Sequence, residues 1–415
     1  MIGALLERVY RREYGRVVSM LAARFGMQHM ELVEDAVQSA WASALSTWPS
    51  RGVPDRPAAW LFRASNNAVL DRLRAQQRHA ALALAGEDAP VSAASPEAWL
   101  AGEVRDAQLA MLFACCHDEL PSEAQRILSL RILFGLTVAE LAEHLFTTEA
   151  NVYKRLQRAR AKLQSIGVDL EVLTEEEQHH RMPAVRSILH LLFTGGYASV
   201  RADVSMRVDL CDEAIRLVTL LAERAGPPAP PTAALLALMF LHRARMTARD
   251  DGVGGLLLLS EQDRTLWDTQ AIATGMRWLA SAATGDTFSR YHAEAGIAAE
   301  HCRAQTFDET RWDRIVGCYA LLERVAPSAT HRLGHAIAIA QCSGPEDGLA
   351  FLQRVAPPSW LCGSFQWFAV LADLHLRCGH EADAARHRAL ALDAAPTAAL
   401  RTLLERRLGP GSPVV

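Results

Sequence analysis

The sequence predicts an all-α protein built from several helical units, and three observations carry that prediction. Apolar residues recur at helical spacing from Leu5 through most of the chain. Cap signals at Thr137 and Thr148 open two short, closely spaced helices. The last third repeats a pattern of small and large residues of the kind that builds stacked helix pairs. At 415 residues, 50% of them hydrophobic and 22% charged, the chain can bury sizeable cores, and two to four compact units are expected.

The first helix is expected over Leu5–Phe25, with Val9, Val17, Val18, Leu21 and Phe25 as its apolar set. A second, Met30–Leu45, turns Leu32, Val33, Ala36, Val37, Ala40, Trp41 and Leu45 inward and leaves Glu31, Glu34, Asp35, Gln38 and Ser39 outward. Trp48-Pro49 ends it, and a polar loop runs from Ser50 to Pro57. Pro57 suits the first turn of a third helix, whose inward residues are Trp60, Leu61, Ala64, Ala68 and Leu73. Its exposed or edge positions hold Arg63, Asn66, Asn67, Asp71, Arg72, Arg74 and Arg78, a density of Arg and Asn near Trp60 and Phe62 that suits gripping phosphates and cradling unpaired bases. An ordinary bundle with an arginine-rich rim has the same pattern.

Residues 80–102 are rich in Ala, Gly, Ser and Pro and read as a flexible connector. Helical pattern resumes over Ala107–Cys116 and Pro121–Leu133. Thr137 and Glu140 then form a capping box, and Leu141, Ala142 and Leu145 face inward. A turn follows, and Thr148 caps a helix whose apolar positions Val152, Leu156, Ala159 and Leu163 share one face. The other face holds Asn151, Lys154, Arg155, Gln157, Arg158, Arg160 and Lys162, with no carboxylate between Ala150 and Leu163. Surface helices gain from mixed signs, so an all-cation face gives up support and points to an anionic partner. Two short helices joined by a tight turn, the second basic, make a helix-turn-helix that fits a major groove.

The formal net charge of −4 hides this local excess of cations. Eight cysteines lie scattered with no CxxC pair, mostly inside apolar patterns, and imply a reducing compartment. Cys115-Cys116-His117 and His179-His180 lack a matching second ligand pair, and Cys115 and Cys116 are expected as buried helix-end thiols; no metal ligand or cofactor is assigned. Neither a signal segment nor a membrane span is read, so a soluble cytoplasmic protein is expected.

The stretches VEDAVQSAW and AWLFRASNNAVLDRLR, followed by a connector and then by LTVAELAEHL and VYKRLQRARAKL, resemble an alternative RNA polymerase sigma factor of the extracytoplasmic-function type. The resemblance covers Met1 to Gly167; one departure is Phe146, where such turns often hold glycine. It implies a sigma region-2-like domain over 1–79, a flexible linker over 80–102 and a region-4-like helix-turn-helix domain over 103–167. Glu34, Asp35, Gln38 and Trp41 then match the surface for core RNA polymerase. The loop from Trp48 to Pro57, with Arg63, Asn66 and Asn67, matches the part that captures a flipped base of melted promoter DNA, the non-template strand, and Arg72 and Arg74 extend that surface. Thr148, Glu149, Asn151, Lys154, Arg155 and Arg158 match the recognition helix for the upstream element in duplex form, with Arg160 and Lys162 continuing its cationic face.

Beyond Asp169 a helical extension is expected over 168–300, with tetratricopeptide-like repeats over 301–415. Phe368, Leu371, Ala372, Gly379, Ala384, Ala391 and Pro396 fall at the repeat's small and large positions, although His375 and Arg388 stand where larger aromatics are usual. Weaker echoes occur at Trp312–Pro327 and Leu333–Pro357. Sigma factors of one extracytoplasmic-function group look like this, and a protein partner for the array follows as an expectation. Asp250, Asp251, Glu261, Asp263 and Asp268 crowd one irregular stretch but match no paired-acid or EF-hand spacing. No catalytic residue is assigned, and the chain reads as a transcription factor, not an enzyme. The residues alone also fit a one-component helix-turn-helix regulator with a helical sensor.

Overall fold

In a computed structural model of the protein, residues 2–83, 101–145, 147–168, 170, 173–197, 207–223, 229–250 and 257–409 are described. Phe146 and most of the 80–102 connector fall outside them. The described residues are helical, without β-strands, and the chain divides into two compact units, Met1–Leu192 and Phe193–Val415.

In the first unit, α1 (Ile2–Phe25) leads through a short 3-10 turn to α2 (Met30–Arg51) and α3 (Pro57–Ala83). After the connector come α4 (Ala101–Cys115), α5 (Ser122–Phe134), α6 (Val138–His144) and α7 (Glu149–Ile166), and α8 (Glu175–Tyr197) carries the chain onward. Expected and observed helices differ in one instructive place. α2 continues through Pro49 to Arg51 instead of stopping at the Trp48-Pro49 pair. A proline this close to a helix end removes only one ladder bond, and the extra turn keeps Trp48 buried.

α1 is the shared element of this unit. It packs on α2 and α3 along one side and on α4 and α5 along another. The two helical modules that the sequence suggests are loosely tethered are therefore in direct contact. Tyr14, Val17, Val18 and Leu21 of α1 are wholly buried. Cys115 and Cys116 close α4 as buried thiols, and burial pushes Cys115 up to about 12, which keeps it protonated. His180, by contrast, is exposed, with Nδ1 2.8 Å from Oδ1 of Asp118.

The second unit continues with α9 (Val208–Glu223), α10 (Pro230–Arg243), α11 (Met246–Arg249), α12 (Thr269–Ala282), α13 (Arg290–Arg303), α14 (Trp312–Val325), α15 (Ala329–Ser343), α16 (Pro345–Gln353), α17 (Ser359–Cys362), α18 (Phe365–Arg377), α19 (Glu381–Asp393) and α20 (Ala398–Arg407). α10 is apolar almost all round and accordingly buried, against α9, α12 and α13. From α12 to α16 each helix packs on the next, and α18, α19 and α20 do the same. Leu333, Ala336, Leu349, Leu352, Leu371 and Leu374 knit α15, α16 and α18 into one core. The acidic stretch before α12 is structural: Asp263 accepts from the Thr265 amide at 2.9 Å, Asp268 from the Ala271 amide at 2.9 Å, and Glu261 pairs with Arg406 at 3.1 Å.

His301 at the end of α13 lies edge-on to Trp312, 5.4 Å between ring centres. Burial, reinforced by the Arg245 and Arg264 charges, lowers its pKa from 6.5 to about 3. The native imidazole stays neutral where the unfolded chain takes up a proton, so stability is fully present above about pH 6.5 and is lost as pH falls toward 3. In urea titrations the unfolding midpoint of the full chain should drop with acidity over that window, and the drop should be smaller in His301→Asn. Parallel curves for the two proteins would show that His301 is not the group responsible.

Candidate nucleic-acid interface

The capping box that opens α6 is formed as expected: the Thr137 amide donates to Glu140 at 2.8 Å, and the Glu140 amide donates to Thr137 Oγ1 at 3.1 Å. Thr148 caps α7, its hydroxyl accepting from the Asn151 amide at 3.3 Å. Val152, Leu156, Ala159 and Leu163 are all buried, which fixes the rotation of α7 and sends the remaining side chains outward. Glu149, Asn151, Lys154 and Arg158 are exposed, as is Gln157. Tyr153 is also exposed, at 60%, and adds an aromatic ring beside Lys154. Its position one residue off the buried stripe marks it as outward, a signal the cation count obscures.

The cations of α7 fall into three groups. Lys154 and Arg158 carry no ion pair among the described residues. Arg155 pairs with Glu123 at 2.9 Å and Lys162 with Glu119, both at the surface. Arg160 reaches Glu34 of α2, whose side chain is only 4% exposed. The same carboxylate accepts from the Tyr14 hydroxyl at 3.4 Å and lies 4.0 Å from Nε of Arg131. Burial pushes the Glu34 carboxyl up, against the opposing pull of Arg160 and Arg131. Glu34 is thus not on the outward face that its neighbours in sequence suggest, because a partner far along the chain covers it.

The surface of α2 and α3 separates exposed from buried members of the expected sites. Asp35 and Gln38 are exposed, and Asp35 pairs with Arg72 at 3.3 Å. Trp41 and Trp48 are buried and join an edge-to-face series: Tyr10 to Trp41 at 5.0 Å, Trp41 to Trp48 at 5.8 Å, Trp48 to Trp60 at 5.4 Å. Such contacts each add roughly 0.5–1.5 kcal/mol beyond burial, so these rings hold α1, α2 and α3 together. On α3, Arg63, Asn67, Arg72 and Arg74 are exposed, while Asn66 is 4% exposed. The buried stripe of α3 is Leu61, Phe62, Ser65, Asn66 and Val69, rotated from the expected one. Nε1 of Trp48 and Oδ1 of Asn66 find no hydrogen-bond partner among the described residues.

This geometry offers two chemically different surfaces: a capped helix with outward amide, hydroxyl and cationic groups for a duplex, and an arginine-and-asparagine face on α3 for phosphates and bases. Among the described residues no helix is long and apolar enough to cross a membrane. A family model described as Sigma-70 region 2 matches residues 9–79, and one described as Sigma-70, region 4 matches residues 110–163. A family of unknown function matches residues 181–283. An uncharacterized protein of Rhizobium meliloti (strain 1021) is 34% identical over 372 residues, covering 88% of this chain and 87% of its own. No solved structure matches the chain.

Two outcomes follow for α7. Thr148→Ala should destabilise the helix by about 1 kcal/mol, read from amide exchange along its first turn. Lys154→Ala and Arg158→Ala should each lower the slope of log affinity for duplex DNA against log salt by about 0.9. A slope unchanged in both variants would remove α7 from the phosphate contact.

Proposed function

The chain belongs to the sigma-70 family of RNA polymerase sigma factors, and from that premise we propose that it binds core RNA polymerase and directs initiation at a particular class of promoters, as an alternative factor of the extracytoplasmic-function type. The family acts in transcription initiation; its members are transcription factors rather than enzymes.

The observation that carries this reading is α7: capped by Thr148, held by a buried stripe and presenting unpaired Lys154 and Arg158 beside Asn151. In this reading Thr148, Glu149, Asn151, Lys154, Arg155, Arg158, Arg160 and Lys162 take the upstream promoter element as duplex. Arg63, Asn67, Arg72 and Arg74, with Trp48 and Asn66 behind them, take the melted non-template strand. The buried, unpaired polar atoms of Trp48 and Asn66 suit that role, since a flipped base must find hydrogen-bond partners to replace those it loses. Glu34, Asp35, Gln38 and Trp41 mark the polymerase-facing helix, of which Asp35 and Gln38 are exposed in the form described above.

The second unit serves as a regulatory or partner-binding module. Its stacked helices leave a cavity of about 310 Å³ walled by Phe307, Trp312 and Tyr319 and edged by Glu261, Asp373 and Arg406. A mix of rings and charges of both signs suits a peptide segment of a protein partner better than a uniformly charged ligand.

Run-off transcription with core polymerase on genomic fragments tests the reading directly: the protein should give specific starts that core alone does not. Arg155→Ala should weaken closed-complex binding and leave opening intact, while Asn67→Ala should slow opening and leave duplex binding intact. Identical defects in the two variants would break the division of labour. Removing residues 169–415 should change promoter output, and unchanged output would reject a regulatory extension.

A further inference from the structure

The junction between the two sigma modules is built too closely to be a chance contact of tethered parts. Gly15 lies in the middle of α1, where alanine would favour the helix by roughly 1 kcal/mol were α1 alone. Yet a Cβ at Gly15 would fall 2.6 Å from the carbonyl carbon of Leu133 on α5 and nearer still to its oxygen. That obstacle is backbone and cannot rotate aside. One residue away, Tyr14 packs against Gly135, which closes α5 with φ +64°; a Cβ there would meet the tyrosine ring at 3.0 Å. Further along, Arg11 of α1 pairs with Glu140 of α6 at 3.6 Å, and Glu34 of α2 takes Arg160 of α7.

We propose that this packing is a closed, self-inhibited form of the factor, in which the region-4 module covers Glu34 on the polymerase-facing helix and Glu34 in turn occupies a cation of the recognition helix, so that activation requires the modules to part. The proposal rests on the roles given to α2 and α7 under Proposed function. The polar seam makes the parting reversible. Glu34 and Arg160 regain water when they separate, which offsets the attraction they lose, whereas a purely apolar seam would have no such return. Opening also bares the Tyr14 ring, and a polymerase surface seated on α2 next to it covers that ring again. Binding of polymerase and opening of the seam are thereby the same event, and each favours the other.

The test uses the full chain and Gly15→Ala, a position outside every proposed binding surface. The variant should scatter X-rays at small angle as a more extended particle and bind core polymerase at least about tenfold more tightly, the gain expected if about nine-tenths of the wild-type molecules are closed. A variant as compact as wild type, or one that opens without gaining affinity, overturns the proposal. Should Gly15→Ala fail to fold, amide exchange on the wild-type chain decides: peptides spanning Leu130–Gly135 must exchange faster once core polymerase is bound, and unchanged protection there overturns the proposal. Failure of the underlying reading looks different, since then neither protein binds polymerase at all.

Discussion

The first unit depends on how near the backbone of α1 comes to the end of α5. Packed helices ordinarily sit 8–10 Å apart, a spacing set by the side chains between them. At Gly15 there is no side chain, and the carbonyl of Leu133 fills the space. Several other features are consequences. Tyr14 is brought over the left-handed turn at Gly135, and its hydroxyl reaches Glu34. Arg131, one turn before Gly135, then faces two ways: Nη1 donates to the Leu136 carbonyl at 2.9 Å, and Nε approaches Glu34 at 4.0 Å. The residue that closes α5 and leads into the helix-turn-helix is thus also a member of the buried charge cluster. A shift at Gly15 propagates to the start of α6 through this one guanidinium.

How much of this was legible in the sequence depends on the range of the interaction. The capping box at Thr137 and Glu140, the Thr148 cap and the Val152, Leu156, Ala159, Leu163 stripe are decided within four residues to either side, and they are found where the pattern places them. Glu34 was not legible, because its fate is set by Arg160, 126 positions away. On α3 the assignment failed by a small rotation: Ser65 and Asn66 are polar by type, yet both are buried between Leu61, Phe62 and Val69. The carboxylates around Glu261 to Asp268 looked like chemistry because acids cluster there, whereas two of them cap the short turns that this irregular stretch needs. Local rules read caps and stripes; they do not read which surface another module will cover.

The pairing of cations on α7 explains how a chain of net charge −4 can present a basic helix without paying heavily in self-repulsion. Glu119, Glu123 and Glu34 act as internal counterions, each from a different element. Their hold is unequal. Arg155 and Lys162 are about two-fifths exposed, and surface pairs of this kind contribute between 0 and about 1 kcal/mol, less with salt. A phosphate displaces such carboxylates readily. The Arg160 pair is desolvated, with Glu34 nearly inaccessible, so no ion from solvent can replace it while the seam stays shut.

That difference divides α7 along its length. Its first half, from Thr148 to Arg158, is available to a duplex in the closed form, while Arg160 is withheld. Both lysines of the chain, Lys154 and Lys162, lie on this one helix among 43 basic residues. A lysine is a flexible point charge that follows a phosphate without fixed geometry, whereas arginine binds through a rigid fork. Lysine at the two ends and arginine between them therefore give a helix whose ends tolerate movement on the backbone and whose middle is held in register. The residue withheld by Glu34 belongs to the rigid group, and rigid donors are the ones whose loss a groove-bound helix cannot make good by adjusting its seat.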